Sequence, residues 1–182
     1  MRAPPNSSTS KRRAVFLDRD DTLIPDIPYL GDPARVTLLP GARDALVRLH
    51  DAGFLLIMVS NQSGVARGLI TYDQVRTVNA EVARQLLPAP IDATYFSPDG
   101  PDEPSETRKP APGLLLRAAR EHNIDLARSF MVGDKVSDIE CGRRAGCQTV
   151  RIAAGPPPPT EPSPNFTASG LAEASEWILH QP

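Results

Sequence analysis

Apolar runs and helical periodicities alternate along this chain. The first run, "AVFL" from Ala14, passes at once into "DRDDTL". A loop carrying Pro25, Pro28, Pro33 and Pro40 leads to "GARDALVRLHDAG", in which Ala45, Leu46 and Leu49 recur at helical spacing before Gly53 ends the pattern. The next run, "FLLIMVS", is apolar throughout, as in a strand covered on both faces of a parallel sheet. The spacing then predicts a helix over 72–87 stopped by Pro88, a short strand in "IDATYF", and a helix over 112–122 with proline in its first turn. "SFMVGD" has the pattern of a strand, 136–145 of a helix and "QTVRI" of a further strand.

Strands alternating with helices predict an α/β domain: a doubly wound, mostly parallel sheet with helices on both faces and ligands bound beyond the carboxyl ends of the strands. Residues 1–13 are expected to form a disordered tail and 14–154 the core. Residues 155–164, containing "GPPPPTEPSP", suit a stiff proline-rich linker, and 165–182 a C-terminal segment whose helix docks on the core. That helix is expected to take Ser169 as its N-cap and to pack Leu171, Trp177 and Ile178 on the sheet.

With 182 residues, the chain is long enough for one core and short for two. A net charge of -2 with interspersed signs provides no field for nucleic acid or a membrane surface, so a small-molecule partner and a monomer are expected. Cys141 and Cys147 lack a repeated ligand spacing and form neither a disulfide framework nor a thiolate zinc site, which fits a reducing, cytoplasmic setting. No run approaches the roughly 20 apolar residues of a membrane helix.

The polar ends of the strands carry the chemistry. Asp18, Asp20 and Asp21 crowd the first, where like charges require a cation or a shifted protonation state. Strand alternation puts Asp18 and Asp20 on one side and Arg19 on the other. "SNQSG" supplies Ser60 and Asn61, "RKP" supplies Arg108 and Lys109, and "VGDKVSD" supplies Asp134, Lys135 and Asp138. Hard-cation ligands, a lysine charge and hydroxyl or amide donors brought to one sheet edge suit transfer of a phosphoryl group.

"FLDRDDTL", "VSNQSG", "RKP" and "VGDKVSD", in this order, resemble the four motifs of the haloacid dehalogenase superfamily of aspartate-nucleophile phosphatases, over about residues 15–152. "SNQSGVARG" and "RKPAPGLL" resemble the branch containing the heptose 1,7-bisphosphate and histidinol phosphate phosphatases, which has no large cap domain. The resemblance implies Mg2+ held by Asp18, Asp134 and the Asp20 carbonyl. It also implies that Asp18 is the nucleophile, that Asp20 is the acid and base, and that Ser60 and Lys109 hold the phosphoryl oxygens. Asn61, Arg108 and Lys135, together with Tyr29 and Asp26 in the loop after the nucleophile, are expected to contact a small phosphorylated metabolite. Heptose bisphosphate is the first expectation and histidinol phosphate the alternative. The rival from another class is a phosphoacceptor signalling domain, disfavoured because Asp20 would shorten the life of an acyl phosphate.

The motifs depart from the pattern at two places. Asp21 replaces the usual glycine, at a turn where aspartate tolerates left-handed backbone. Many relatives bind zinc in the loop before "RKP", whereas this loop has Ser97, Asp99, Ser105 and Thr107 at those positions. Hydroxyls do not replace thiolates on zinc, so no zinc is expected there, and prolines and turn hydrogen bonds are expected to order the loop.

Overall fold

The computed structural model describes residues 10–155 and 161–182. Six strands form one sheet: β1 (Ala14–Leu17), β2 (Leu55–Asn61), β3 (Ala93–Ser97), β4 (Phe130–Gly133), β5 (Gln148–Ile152) and β6 (Phe166–Ala168). Their order is β3-β2-β1-β4-β5-β6, and every pairing is parallel. This is the doubly wound order with its topological switch between β1 and β4.

Alternation along the strands explains why both faces are covered. Val15 and Leu17 of β1 join Leu56 and Met58 of β2 in one core, while Ala14 and Phe16 join Leu55, Ile57 and Val59 in the other. Helices α1 (Ala42–Asp51), α2 (Tyr72–Leu86) and α5 (Leu171–Leu179) cover the first face through Leu46, Leu49, Val78, Val82, Leu171 and Ile178. Helices α3 (Gly113–Glu121) and α4 (Val136–Ala145) cover the second through Leu114, Leu115, Ala118 and Cys141. Both cysteines are free and buried, and burial pushes each thiol up to about 12.

Local chemistry sets the helix ends. Thr71 Oγ1 accepts from Gln74 N while Gln74 Oε1 accepts from Thr71 N, a reciprocal cap that starts α2. Gly146, at φ 88, closes α4 in the left-handed conformation.

The chain ends differ from the sequence expectation. Residues 1–9 of the expected tail and 156–160 of the linker lie outside the described residues. Arg12, assigned to the tail, bridges Ile124, and Arg13 lies over the Phe54 ring at 4.3 Å. These cationic stems bind to the domain through backbone pairing and ring contact, which a polarity pattern does not register. Beyond the linker, β6 adds a strand that three residues were too short to signal. Gly170 takes the cap position of α5, while Ser169 instead bonds Glu173 through its hydroxyl and its backbone N–H. Trp177 is only partly buried and stacks on Phe166, with centroids 5.2 Å apart. Among the described residues, no helix is long and apolar enough to cross a membrane.

Candidate active site

Asp18 follows β1 and Asp134 follows β4, so the two carboxylates emerge from adjacent strands at the switch point. The Asp18 backbone N–H still donates to Val132 O at 2.9 Å, continuing the strand pairing. One carboxylate oxygen from each of Asp18, Asp134 and Asp138 falls within 4.8 Å of the others. Asp134 Oδ1 is buried and has no hydrogen-bond partner among the described residues. Burial, and then the charge of Asp18, push the Asp134 carboxyl up to about 7. A half-buried carboxylate facing another acid, with an orphan oxygen, fits a hard divalent cation.

Lys109 organises the opposite side. It is 4% exposed, and its Nζ donates to Asp18 Oδ1 at 2.6 Å and to Val59 O at 2.9 Å. An ion-pair contact with Asp138 Oδ1 at 2.7 Å lies off the hydrogen-bonding direction. Burial alone would lower the lysine pKa, but the charges of Asp138 and Asp18 outweigh it and hold the ammonium above its ordinary range. Asp138 Oδ2 accepts from the Lys135 backbone N–H at 3.0 Å, which ties the first turn of α4 to the site. Gly133 makes this approach possible, because a Cβ there would fall inside the Asp138 carboxyl.

Asp20 sits 14% exposed at the side of the cleft. Arg19 Nε and Nη2 both donate to it at 3.1 Å, as does Gln62 Nε2. Burial raises the Asp20 pKa, opposed by Arg19 and assisted by Asp18. The alternation expected of Asp18 and Arg19 is carried past the end of β1: Asp18 meets Lys109 and the α4 residue Asp138 on the side of Phe16, and Arg19 meets Asn79 of α2 on the side of Leu17. Arg19 is buried and also joins Asp20, with Nη1 donating to Asn79 Oδ1 at 2.9 Å and Nη2 to Gln62 Oε1 at 3.0 Å.

Ser60 ends the buried part of β2. It is fully buried, and its Oγ has no partner among the described residues, a cost of about 1–3 kcal/mol that a phosphoryl oxygen would offset. Asn61 lines the cleft and also binds the backbone of Lys109: Nδ2 donates to Lys109 O at 3.0 Å and Oδ1 accepts from Lys109 N at 2.9 Å. Both amide atoms therefore hold the lysine's backbone.

Above these residues lies a cleft of about 390 Å³, lined in part by Asp20, Asp26, Tyr29, Arg108, Lys109 and Lys135. The expected substrate contacts thus share one opening. Lys135 Nζ donates to Asp26 Oδ2 at 3.2 Å. Tyr29, at φ 53, accepts from Arg67 Nη1 through its hydroxyl at 2.8 Å. Asp21 does adopt left-handed backbone, at φ 55, and its exposed carboxylate accepts from Asp26 N at 2.8 Å. Its charge is turned toward the loop and lies outside the acidic cluster.

These features define a HAD-like hydrolase, and comparison with known proteins agrees. The family model described as HAD-hydrolase-like matches residues 106–174. The D-glycero-beta-D-manno-heptose-1,7-bisphosphate 7-phosphatase of Yersinia pestis is 38% identical over 177 residues, covering 92% of this chain and 89% of that protein. The D-glycero-D-manno-heptose-1,7-bisphosphate 7-phosphatase of Thermosynechococcus vestitus is 37% identical, covering 92% and 95%. The crystal structure of the D,D-heptose 1,7-bisphosphate phosphatase of B. bronchiseptica, complexed with magnesium and phosphate, superposes with a TM-score of 0.82 at 28% identity, covering 94% of this chain and 99% of that one. The chain belongs to the HAD-like phosphatases, in the branch of the heptose bisphosphate phosphatases.

Proposed function

We propose that this phosphatase removes the 7-phosphate of D-glycero-D-manno-heptose 1,7-bisphosphate through an aspartyl phosphate on Asp18. The observation that carries the reading is the meeting of Asp18, Asp134 and Lys109 at the switch point. A carboxylate oriented by a buried ammonium is positioned for in-line attack on phosphorus. Asp20 protonates the leaving sugar oxygen, then takes a proton from the water that hydrolyses the acyl phosphate, and its raised pKa suits the first of these steps. Ser60 Oγ and Lys109 Nζ bind equatorial oxygens of the phosphoryl group as its charge redistributes.

Mg2+ fits the acidic cluster. Held by Asp18 and Asp134, with the Asp20 main-chain carbonyl, it would neutralise charge between carboxylate and phosphate. Asp138 serves the lysine and the α4 turn. Arg108 and Lys135 on the rim supply the cations that a second phosphate requires, which favours a sugar bisphosphate over histidinol phosphate. The names of the relatives support the same substrate.

Phosphate release from the bisphosphate, followed by phosphorus NMR to identify which ester is cleaved, tests the proposal. Loss of the 7-phosphate with Mg2+ present is expected, whereas retention of that phosphate would reject the substrate assignment.

A further inference from the structure

Residues 98–108 leave β3 at the carboxyl edge of the sheet and return to the cleft as Arg108, with no helix or strand between. One carboxylate gathers this loop. Asp99 Oδ2 accepts from Ser97 Oγ at 3.1 Å, Ser105 Oγ at 2.5 Å and Thr107 Oγ1 at 2.9 Å, so donors from both ends of the loop meet on a single oxygen. The hydroxyls also touch one another, with Thr107 Oγ1 lying 3.0 Å from Ser97 Oγ and 3.2 Å from Ser105 Oγ. Those donors, Ser105 foremost, hold the Asp99 carboxyl below its ordinary range, so it stays ionised and its hydrogen bonds stay charge-assisted.

The same cluster reaches Arg108 twice. Ser105 Oγ accepts from the Arg108 backbone N–H at 2.9 Å, and the Asp99 carbonyl accepts from Arg108 Nη1 at 3.0 Å. Both the backbone and the guanidinium of the arginine are therefore referred to Asp99. Such a restraint is needed, because burial and the nearby charge of Arg67 both disfavour a guanidinium at this place. A flexible cation near a like charge would otherwise turn to solvent.

We infer that Asp99 is the positioning residue for the cleft's outer anion subsite: it closes the loop on three hydroxyls and fixes the Arg108 guanidinium on the rim. The inference deepens the phosphatase reading and rests on it for the identity of the anion, the phosphate that is not transferred. Asp99 itself touches no reacting atom. Its contribution is to keep Arg108 oriented before substrate arrives.

The test compares wild type, Asp99→Ala, Arg108→Ala and the double variant on heptose 1,7-bisphosphate and on p-nitrophenyl phosphate, which has no second anionic group. Asp99→Ala should raise KM for the bisphosphate about tenfold with kcat within about twofold, and leave the aryl ester unchanged. The double variant should be no worse than Arg108→Ala, because Asp99 acts through that residue. Additive losses, or equal losses on both esters, would overturn the inference. Asp99→Asn, which keeps an acceptor oxygen, should restore most of the affinity, and no recovery would count against the hydrogen-bond account. If Asp99→Ala fails to fold, Ser105→Ala provides the test with a smaller KM rise, and an unchanged KM there would refute the proposal.

Amide hydrogen exchange gives a readout independent of turnover: Asp99→Ala should speed exchange at Thr107 and Arg108 while leaving α3 protected. Unchanged exchange would overturn the clasp whatever the substrate. Failure of the phosphatase reading looks different, because wild type would then turn over neither ester although exchange in Asp99→Ala was still raised. In that outcome the substrate role assigned to Asp99 falls and only the loop closure stands.

Discussion

The ammonium of Lys109 donates to the carboxylate of Asp18 at 2.6 Å, between two residues 91 positions apart in the chain. A cation from the loop before α3 thus sets the direction of the carboxylate at the end of β1. Asp138 supplies the second anion on that lysine, at 2.7 Å. Asp138→Asn leaves Asp18 to carry the buried ammonium alone, and removing one partner from a buried pair typically costs about 3–5 kcal/mol. A lower denaturant midpoint is expected, with kcat reduced on the order of a hundredfold through misplacement of Lys109. Wild-type values for both would contradict the role given to Asp138.

Gly133 provides a steric counterpart to that charge substitution. Gly133→Ala places a methyl group inside the Asp138 carboxyl, so Asp138 must move away from the strand. A destabilisation of about 1–3 kcal/mol is expected from overpacking, accompanied by loss of turnover. Thermal unfolding and phosphate release, measured together, check it. A stable and fully active variant would show that the close approach is unnecessary.

Asn61 holds Lys109 through backbone bonds of 3.0 and 2.9 Å. Asn61→Ala should therefore lower kcat about tenfold and change KM little, because the lost contacts orient the lysine. A pure rise in KM would assign Asn61 to substrate contact.

Asp134 gives a pH dependence whose sign follows from its burial. Its carboxyl lies at about 7 in the folded chain, above the 3.8 of the free side chain. Between those values the metal-free native state binds more protons than the unfolded state, so this group lowers stability as pH rises through that interval. Cation binding needs the ionised form and removes the penalty. The rise in melting temperature on adding Mg2+ should accordingly be larger at pH 8 than at pH 6. An equal rise at both would show that Asp134 does not hold the cation.

Much of this molecule is legible in one dimension. The helix over 136–145 and the strand "QTVRI" have the same bounds in the structure, because Gly146 stops the helix in left-handed backbone and the β-branched Thr149, Val150 and Ile152 favour extended chain. The acidic residues crowded at the β1 and β4 ends call for a cation or a shifted protonation state, and the structure shows the Lys109 ammonium on Asp18 and a raised carboxyl at Asp134. Arg19 was legible in direction only. Strand alternation assigns it to the side opposite Asp18, but its bonds to Asp20, Gln62 and Asn79 depend on tertiary contacts. Asn61 is polar and at the right sheet edge, but its use on the Lys109 backbone depends on a loop 48 residues away. That Ser97, Ser105 and Thr107 carry hydroxyls where relatives carry thiolates or imidazoles could be read from the sequence. Their convergence on one carboxylate oxygen could not, because hydroxyl direction is set by the folded loop.

The most direct test of the central claim is rapid acid quench of enzyme turning over the bisphosphate with Mg2+, followed by mass spectrometry of its peptides. A phosphoryl adduct on the peptide containing Asp18 is expected, absent in Asp18→Asn together with turnover. Steady turnover by Asp18→Asn at the wild-type rate would contradict the nucleophile assigned here.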